Sequence, residues 1–169
     1  MARPRVAIVI GSDSDWPTME ACYKQLAELG VPCEVQIMSA HRTPEKVHDY
    51  ARTAQENGVQ VVIAAAGLAA ALAGTFAALT TLPVIGVPLD AGPLHGVDAL
   101  LSTVQMPPGV PVATVGIGQV GARNAAVLAA QILALNNPTL DAALKNLKRN
   151  QAEMVDNKNQ ILRERLSRG

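Results

Sequence analysis

A three-layer α/β/α sandwich built on a mainly parallel sheet is the fold class this sequence predicts, and three observations predict it. Short β-branched runs alternate with helical stretches in a βαβα beat. Most of the runs are almost continuously apolar, the pattern of strands covered by helices on both faces. The chain has 169 residues, 49% hydrophobic and 17% charged, which suits one packed domain at roughly 150 residues per domain.

The elements follow in order. VAIVI at 6–10 reads as the first strand, and an amphipathic stretch near 17–29 as the first helix. PCEVQIM supplies the second strand and TPEKVHDYARTAQEN the second helix. VQVVIAAA near 59–66, an Ala-rich helix around 68–80, and PVIGVPL come next. A helix near 95–104, PVATVGI, and a helix from about 121 to 135 complete five strands, each followed by a crossover helix. The sheet is expected to be flavodoxin-like, with an extra C-terminal helix; residues 1–138 then form the α/β domain and 139–169 the helix. In that helix Leu140, Leu144, Leu147, Met154 and Ile161 recur at helical or heptad spacing, so it is expected to dock on its own sheet or on a neighbouring subunit.

Charge excludes several function classes. Fourteen Lys+Arg balance fourteen Asp+Glu, so no basic field is present to neutralise a nucleic acid backbone. One Trp, two Tyr and one Phe give no stacking platform for single strands. Cys22 and Cys33 have no second pair or His at metal spacing and read as buried thiols, not as a zinc cage or a disulfide framework. The N-terminus, with Arg3 and Arg5, has too short an apolar run for a signal peptide, and a cytoplasmic location is expected. Val61 to Leu89 carries no charge and is long enough to span a bilayer, but Pro83 and Pro88 and its Ala/Gly content favour strand, helix, strand. Between Asn57 and Ala122 the only ionised side chains are Asp90 and Asp98, so the central Ala-rich helix is expected to be covered by other subunits.

In open parallel sheets ligands bind beyond the carboxyl ends of the strands. Two loops there carry chemistry. Gly11-Ser12-Asp13-Ser14-Asp15-Trp16-Pro17-Thr18 opens the first helix with hydroxyls for an anion and carboxylates for ribose hydroxyls. One Ser or Asp is accounted for as an N-cap, and the remaining polar residues exceed what a cap needs. Ser39-Ala40-His41-Arg42-Thr43-Pro44 follows the second strand; Thr43 and Pro44 suit a helix start, whereas His41 can move protons near neutrality and Arg42 offers a fork for phosphate. His48 is expected to face solvent, and His95 lies in a loop or helix start. Gly116-Ile117-Gly118-Gln119-Val120-Gly121 matches G-x-G-x-x-G, but it follows the fifth strand rather than the first and is a weak sign of dinucleotide binding.

VAIVIGSDSDWPTM, IMSAHRTPEKV, LPVIGVP, HGVDALLSTVQMPPGVPVATVGI and ARNAAVLAAQIL together resemble the carboxyaminoimidazole ribonucleotide mutase family of purine biosynthesis, over about residues 5 to 135. The resemblance implies a homo-oligomer, typically an octamer, with sites at subunit junctions and neither cofactor nor metal. It implies an imidazole ribonucleotide as substrate, whose carboxylate moves from the exocyclic nitrogen to a ring carbon by way of carbon dioxide. By the matching motifs, Ser12 and Asp15 bind the ribose phosphate moiety with Ser14 and Ser39 beside them, Arg42 contacts the phosphate and His41 is the general acid/base. Backbone amides near Ala66 and Gly67 are expected to hold the carbon dioxide.

One segment departs from that pattern. Many mutases carry A-G-G-A-A-H-L-P-G after the third strand; here Ala66-Gly67-Leu68-Ala69-Ala70-Ala71-Leu72-Ala73-Gly74 puts Ala71 in place of a histidine and Ala73 in place of a proline. Relatives that carboxylate aminoimidazole ribonucleotide directly also lack that histidine, so direct carboxylation is an alternative. A non-catalytic nucleotide-binding relative is another, and a nucleotide-binding oxidoreductase a distant third. SAHRTP and VQMP are on the mutase side.

Overall fold

The computed structural model describes residues 5–167; Arg3 and the other residues at 1–4, with 168–169, lie outside it. Five parallel strands form one sheet, β1 (Val6–Ile10), β2 (Cys33–Ile37), β3 (Val61–Ala66), β4 (Val84–Pro88) and β5 (Ala113–Thr114), in the order β2-β1-β3-β4-β5. Six α-helices accompany them: α1 (Trp16–Glu28), α2 (Pro44–Thr53), α3 (Leu72–Leu79), α4 (Val97–Val104), α5 (Gly118–Ala134) and α6 (Pro138–Leu166). The expected order of elements and the doubly wound, flavodoxin-like sheet are observed.

Alternation along the strands divides the core in two. Val6, Ile8 and Ile10 of β1 point to the side of α1, α5 and the start of α6, where they meet Met19, Cys22, Leu26, Ala126 and Leu140. Ala7 and Val9 point to the other side and meet Val47 and Ala51 of α2 and Leu72 and Phe76 of α3. β1, β3 and β4 are buried over nearly their whole length, as their apolar composition requires.

Three expectations need correction. PVATVGI yields only the two-residue β5, with Ala113 exposed and Thr114 half-buried. As an edge strand it has one neighbour, and Pro111 has no N–H to give to a ladder. The Ala-rich helix begins at Leu72 rather than near 68, because Leu68 adopts φ 56°, a left-handed conformation that a right-handed helix cannot include. α5 begins at Gly118, three residues earlier than its glycines suggest. One face of α3 is buried within the chain, through Leu72, Ala73 and Phe76, while Ala78 on it is exposed. Large apolar side chains are exposed around α4, at Leu94, Val97, Leu101 and Val104.

The uncharged stretch from Val61 to Leu89 is β3, α3 and β4, and no helix of the described residues is long and apolar enough to cross a membrane. α6 divides into two parts. Leu140 and Leu144 are buried against α5, whereas every described residue from Lys148 onward is exposed, including Met154, Val155, Ile161, Leu162 and Leu166. The first turns of α6 therefore belong to the body of the domain, and the rest projects from it.

Phe76, the single phenylalanine, is fully buried and stands edge-on to Tyr50 at 6.1 Å between ring centroids, joining α3 to α2. Phe76→Ala is expected to lower the unfolding free energy by about 3–5 kcal/mol, read from urea denaturation, since a cavity remains beside the lost transfer energy.

Candidate active site

β1 and β3 are neighbours in the sheet, but the helices that follow them lie on opposite faces, so the loops leaving their carboxyl ends diverge. A cavity of about 550 Å³ opens there. It is lined by the β1 loop (Gly11, Ser12, Ser14, Asp15), the β2 loop (Ser39, His41, Arg42) and the β3 loop (Ala66, Gly67, Ala71), with Ala91 from the β4 loop. All eight residues singled out from the sequence are thus brought together: His41, Ser12, Asp15, Arg42, Ser14, Ser39, Ala66 and Gly67.

The β1 loop keeps its shape through a capping box. Ser12 Oγ accepts from the Ser14 N–H, and Asp15 Oδ2 accepts from the Ser12 N–H at 3.0 Å, closing a single turn at Asp13–Asp15. The Ser14 hydroxyl donates to Ser12 Oγ at 3.0 Å, and Ser12 Oγ donates to Asp13 Oδ1 at 3.0 Å. The polar surplus in this loop is therefore partly spent on the loop itself. Burial pushes the Asp15 carboxyl above its ordinary value of 3.8, against the lowering effect of the Ser12 and Gly11 N–H groups and of Arg42.

The β2 loop closes differently from the expected cap. The Thr43 side chain makes no cap bond to α2; its Oγ1 accepts from the Ser39 N–H at 2.9 Å and donates to the Ser39 carbonyl at 3.2 Å. Ser39 Oγ in turn accepts from the Arg42 N–H at 3.2 Å. This ring of bonds presents His41 and Arg42 outward; both are exposed and line the cavity. One guanidinium NH2 of Arg42 donates to the Gly11 carbonyl at 3.0 Å, tying the β2 loop to the β1 loop. The rest of the planar fork remains available to an anion.

The β3 loop forms the opposite wall. A Cβ at Gly67 would stand 2.7 Å from Cβ of Ala91, so only glycine lets the β3 and β4 loops meet here. Ala71 ends this loop at the start of α3 and faces the cavity with a methyl group.

The remaining candidates fall elsewhere. His48 is exposed on α2, as expected. His95 lies in the loop before α4 at φ 49°, with Nδ1 3.5 Å from Asp90 Oδ1, and does not line the cavity; composition gave no sign of this pairing. The glycine motif at 116–121 serves packing: a Cβ at Gly121 would overlap the Gly116 carbonyl, and none of its three glycines lines the cavity. Cys22 is buried and Cys33 half-buried, and burial raises both thiols. Among the described residues no group of three or more His, Cys, Asp or Glu is placed to hold a metal ion.

Comparison with known proteins gives a consistent result. Residues 5–154 match the family model described as AIR carboxylase. The N5-carboxyaminoimidazole ribonucleotide mutase of Pyrococcus abyssi is 56% identical over 142 residues, covering 84% of this chain and 80% of the relative. The mutase of the same name from Mycobacterium tuberculosis is 54% identical over 153 residues, covering 90% of this chain and 87% of the relative. Among solved structures, the crystal structure of Treponema denticola PurE superposes with a TM-score of 0.84 at 28% identity, covering 95% of this chain and 99% of that one. With a sheet of matching architecture, a cavity at its switch point and identity above one half across most of the sequence, this chain belongs to the AIR carboxylase family.

Proposed function

We propose that the chain is an N5-carboxyaminoimidazole ribonucleotide mutase of purine biosynthesis, working in the cytoplasm. The observation that carries this reading is the convergence of His41, Arg42 and the Ser12–Asp15 turn on one cavity in a chain so similar to enzymes of that name.

The chemistry assigns each group a task. Protonated His41 gives its proton to the exocyclic carbamate nitrogen, the C–N bond breaks, and carbon dioxide and aminoimidazole ribonucleotide result. The electron-rich ring carbon then attacks carbon dioxide, and the neutral imidazole removes the proton from that carbon, so the proton count closes. An exposed imidazole suits both transfers, and general acid/base assistance of this kind contributes roughly a hundred- to ten-thousandfold. Arg42 meets the phosphate with the arms of its fork not engaged by Gly11. Ser12, Ser14 and Ser39 offer hydroxyls to the ribose phosphate, and the Asp15 carboxylate accepts from ribose hydroxyls. Backbone amides near Ala66 and Gly67 hold carbon dioxide close to the ring, where proximity replaces concentration.

A second reading is direct carboxylation of aminoimidazole ribonucleotide, favoured by the methyl group of Ala71 in the cavity wall, where many mutases are expected to carry a histidine. We also assign the enzyme a homo-oligomeric state, because the distal half of α6 and the face of α4 leave apolar side chains without cover in the single chain, and an octamer on the family resemblance.

The deciding experiment supplies carboxyaminoimidazole ribonucleotide without bicarbonate in one tube and aminoimidazole ribonucleotide with saturating bicarbonate in another. Carbon-carboxylated product is expected in the first, ahead of spontaneous decay; product in the second alone would assign the direct carboxylase, and His41→Asn is expected to slow turnover by at least about a hundredfold. Because the Asp15 carboxyl is raised, it protonates at higher pH than an ordinary carboxyl as the solution is acidified. The acid limb of kcat/KM should therefore lie above the ordinary value of 3.8 and be lost in Asp15→Asn, whose remaining activity is low but flat there. Light scattering should report a multi-subunit particle for the full chain and a smaller one after truncation at Lys148.

A further inference from the structure

We propose that Lys46 is a second phosphate-binding cation of this site, acting beside Arg42; the proposal rests on the ribonucleotide reading above and adds a specificity residue to it. A second cavity, of about 420 Å³, adjoins the first and shares Gly11, Ser12, Ser39 and Arg42 with it. Lys46 lines its far side, on the first turn of α2. Among the residues lining the two cavities, Arg42 and Lys46 are the only Lys or Arg.

Charge balance favours a second permanent cation. Asp13 and Asp15 both line this region, and the single positive charge of Arg42 already faces them, with one of its NH2 groups held by the Gly11 carbonyl. A phosphate monoester brings roughly another −1.5 to −2 at neutral pH. Even with Arg42 and a protonated His41, the loaded site would carry a net negative charge in a partly desolvated crevice.

Lys46 is free to supply the charge. It is exposed and makes no ion pair among the described residues, neither with Asp49 one turn on nor with the adjacent Glu45. Its position also runs against local preference, since a cation in the first turn meets the positive end of the helix dipole. A locally unfavourable residue beside a cavity is accounted for when an anion arrives between it and Arg42.

The test compares wild type, Lys46→Ala and Lys46→Arg, with Lys24→Ala as control, because Lys24 pairs with Glu20 at 3.0 Å on α1 and lines neither cavity. Two quantities are measured on the full chain: KM for carboxyaminoimidazole ribonucleotide, and the affinity for aminoimidazole ribonucleotide and for its dephosphorylated ribonucleoside. Lys46→Ala should raise KM and weaken the ribonucleotide about five- to tenfold, with a smaller effect at high salt. Lys46→Arg should stay within about twofold of wild type, and the ribonucleoside should bind Lys46→Ala as it binds wild type. Unchanged ribonucleotide affinity in Lys46→Ala, or equal weakening of ribonucleoside and ribonucleotide, overturns the proposal. A wild type that binds the ribonucleotide through Lys46 without turning over either substrate leaves the proposal standing and removes the assigned reaction. A wild type that binds no imidazole ribonucleotide removes both.

Discussion

The site depends on the divergence of connections between β1 and β3. Their strands run side by side, yet α1 packs on one face of the sheet and α3 on the other, and the right-handedness of each crossover enforces that choice. A gap beyond the strand ends follows from connectivity alone, before any side chain is chosen. What the sequence adds is the lining: polar turns after β1 and β2, and a Gly/Ala wall after β3. Rigidity comes from the same source, because β1 and β3 are almost wholly buried and cannot shift without disturbing both halves of the core.

In the proposed reaction several residues at the site would have two tasks. Ser12 and Asp15 hold the β1 turn through reciprocal bonds to backbone N–H groups, and Arg42 ties that turn to the β2 loop. The groups a ribose phosphate would meet are thus fixed before it arrives, which lowers the ordering cost of binding. Loss of any one of these side chains would remove a contact and loosen its neighbours together, so their energetic contributions are not separable by single substitutions.

Much of this was legible in the sequence because its signals are local. The apolar runs of β1, β3 and β4 specify strands buried on both sides, and the SDSDW and SAHRTP loops place Ser12, Asp15, His41 and Arg42 at strand ends whatever the detailed packing. Edges and boundaries were less legible. PVATVGI reads as a full strand, but only Ala113 and Thr114 pair with β4, and how far an edge segment stays beside its neighbour is not encoded in periodicity. The late start of α3 follows from the left-handed Leu68 opposite Gly92, a contact between distant loops. Thr43 looks like a cap but bonds to Ser39, since the loop offers it a nearer partner. The exposed apolar side chains of α4 were not foreseen, because α4 lies on the same uncharged stretch as α3 and composition does not tell which side chains of an apolar helix reach the sheet.

α6 separates what one chain can do alone from what it cannot. Both faces of the sheet are covered by helices of the same chain. The segment beyond Lys148 extends roughly 30 Å with no tertiary support, holding its helix only through propensity and side-chain pairs along its own surface. Anything that covered its apolar stripe would shift its helix–coil equilibrium. The arm can therefore fray or straighten without disturbing the packed domain, so its order and the domain's are separable.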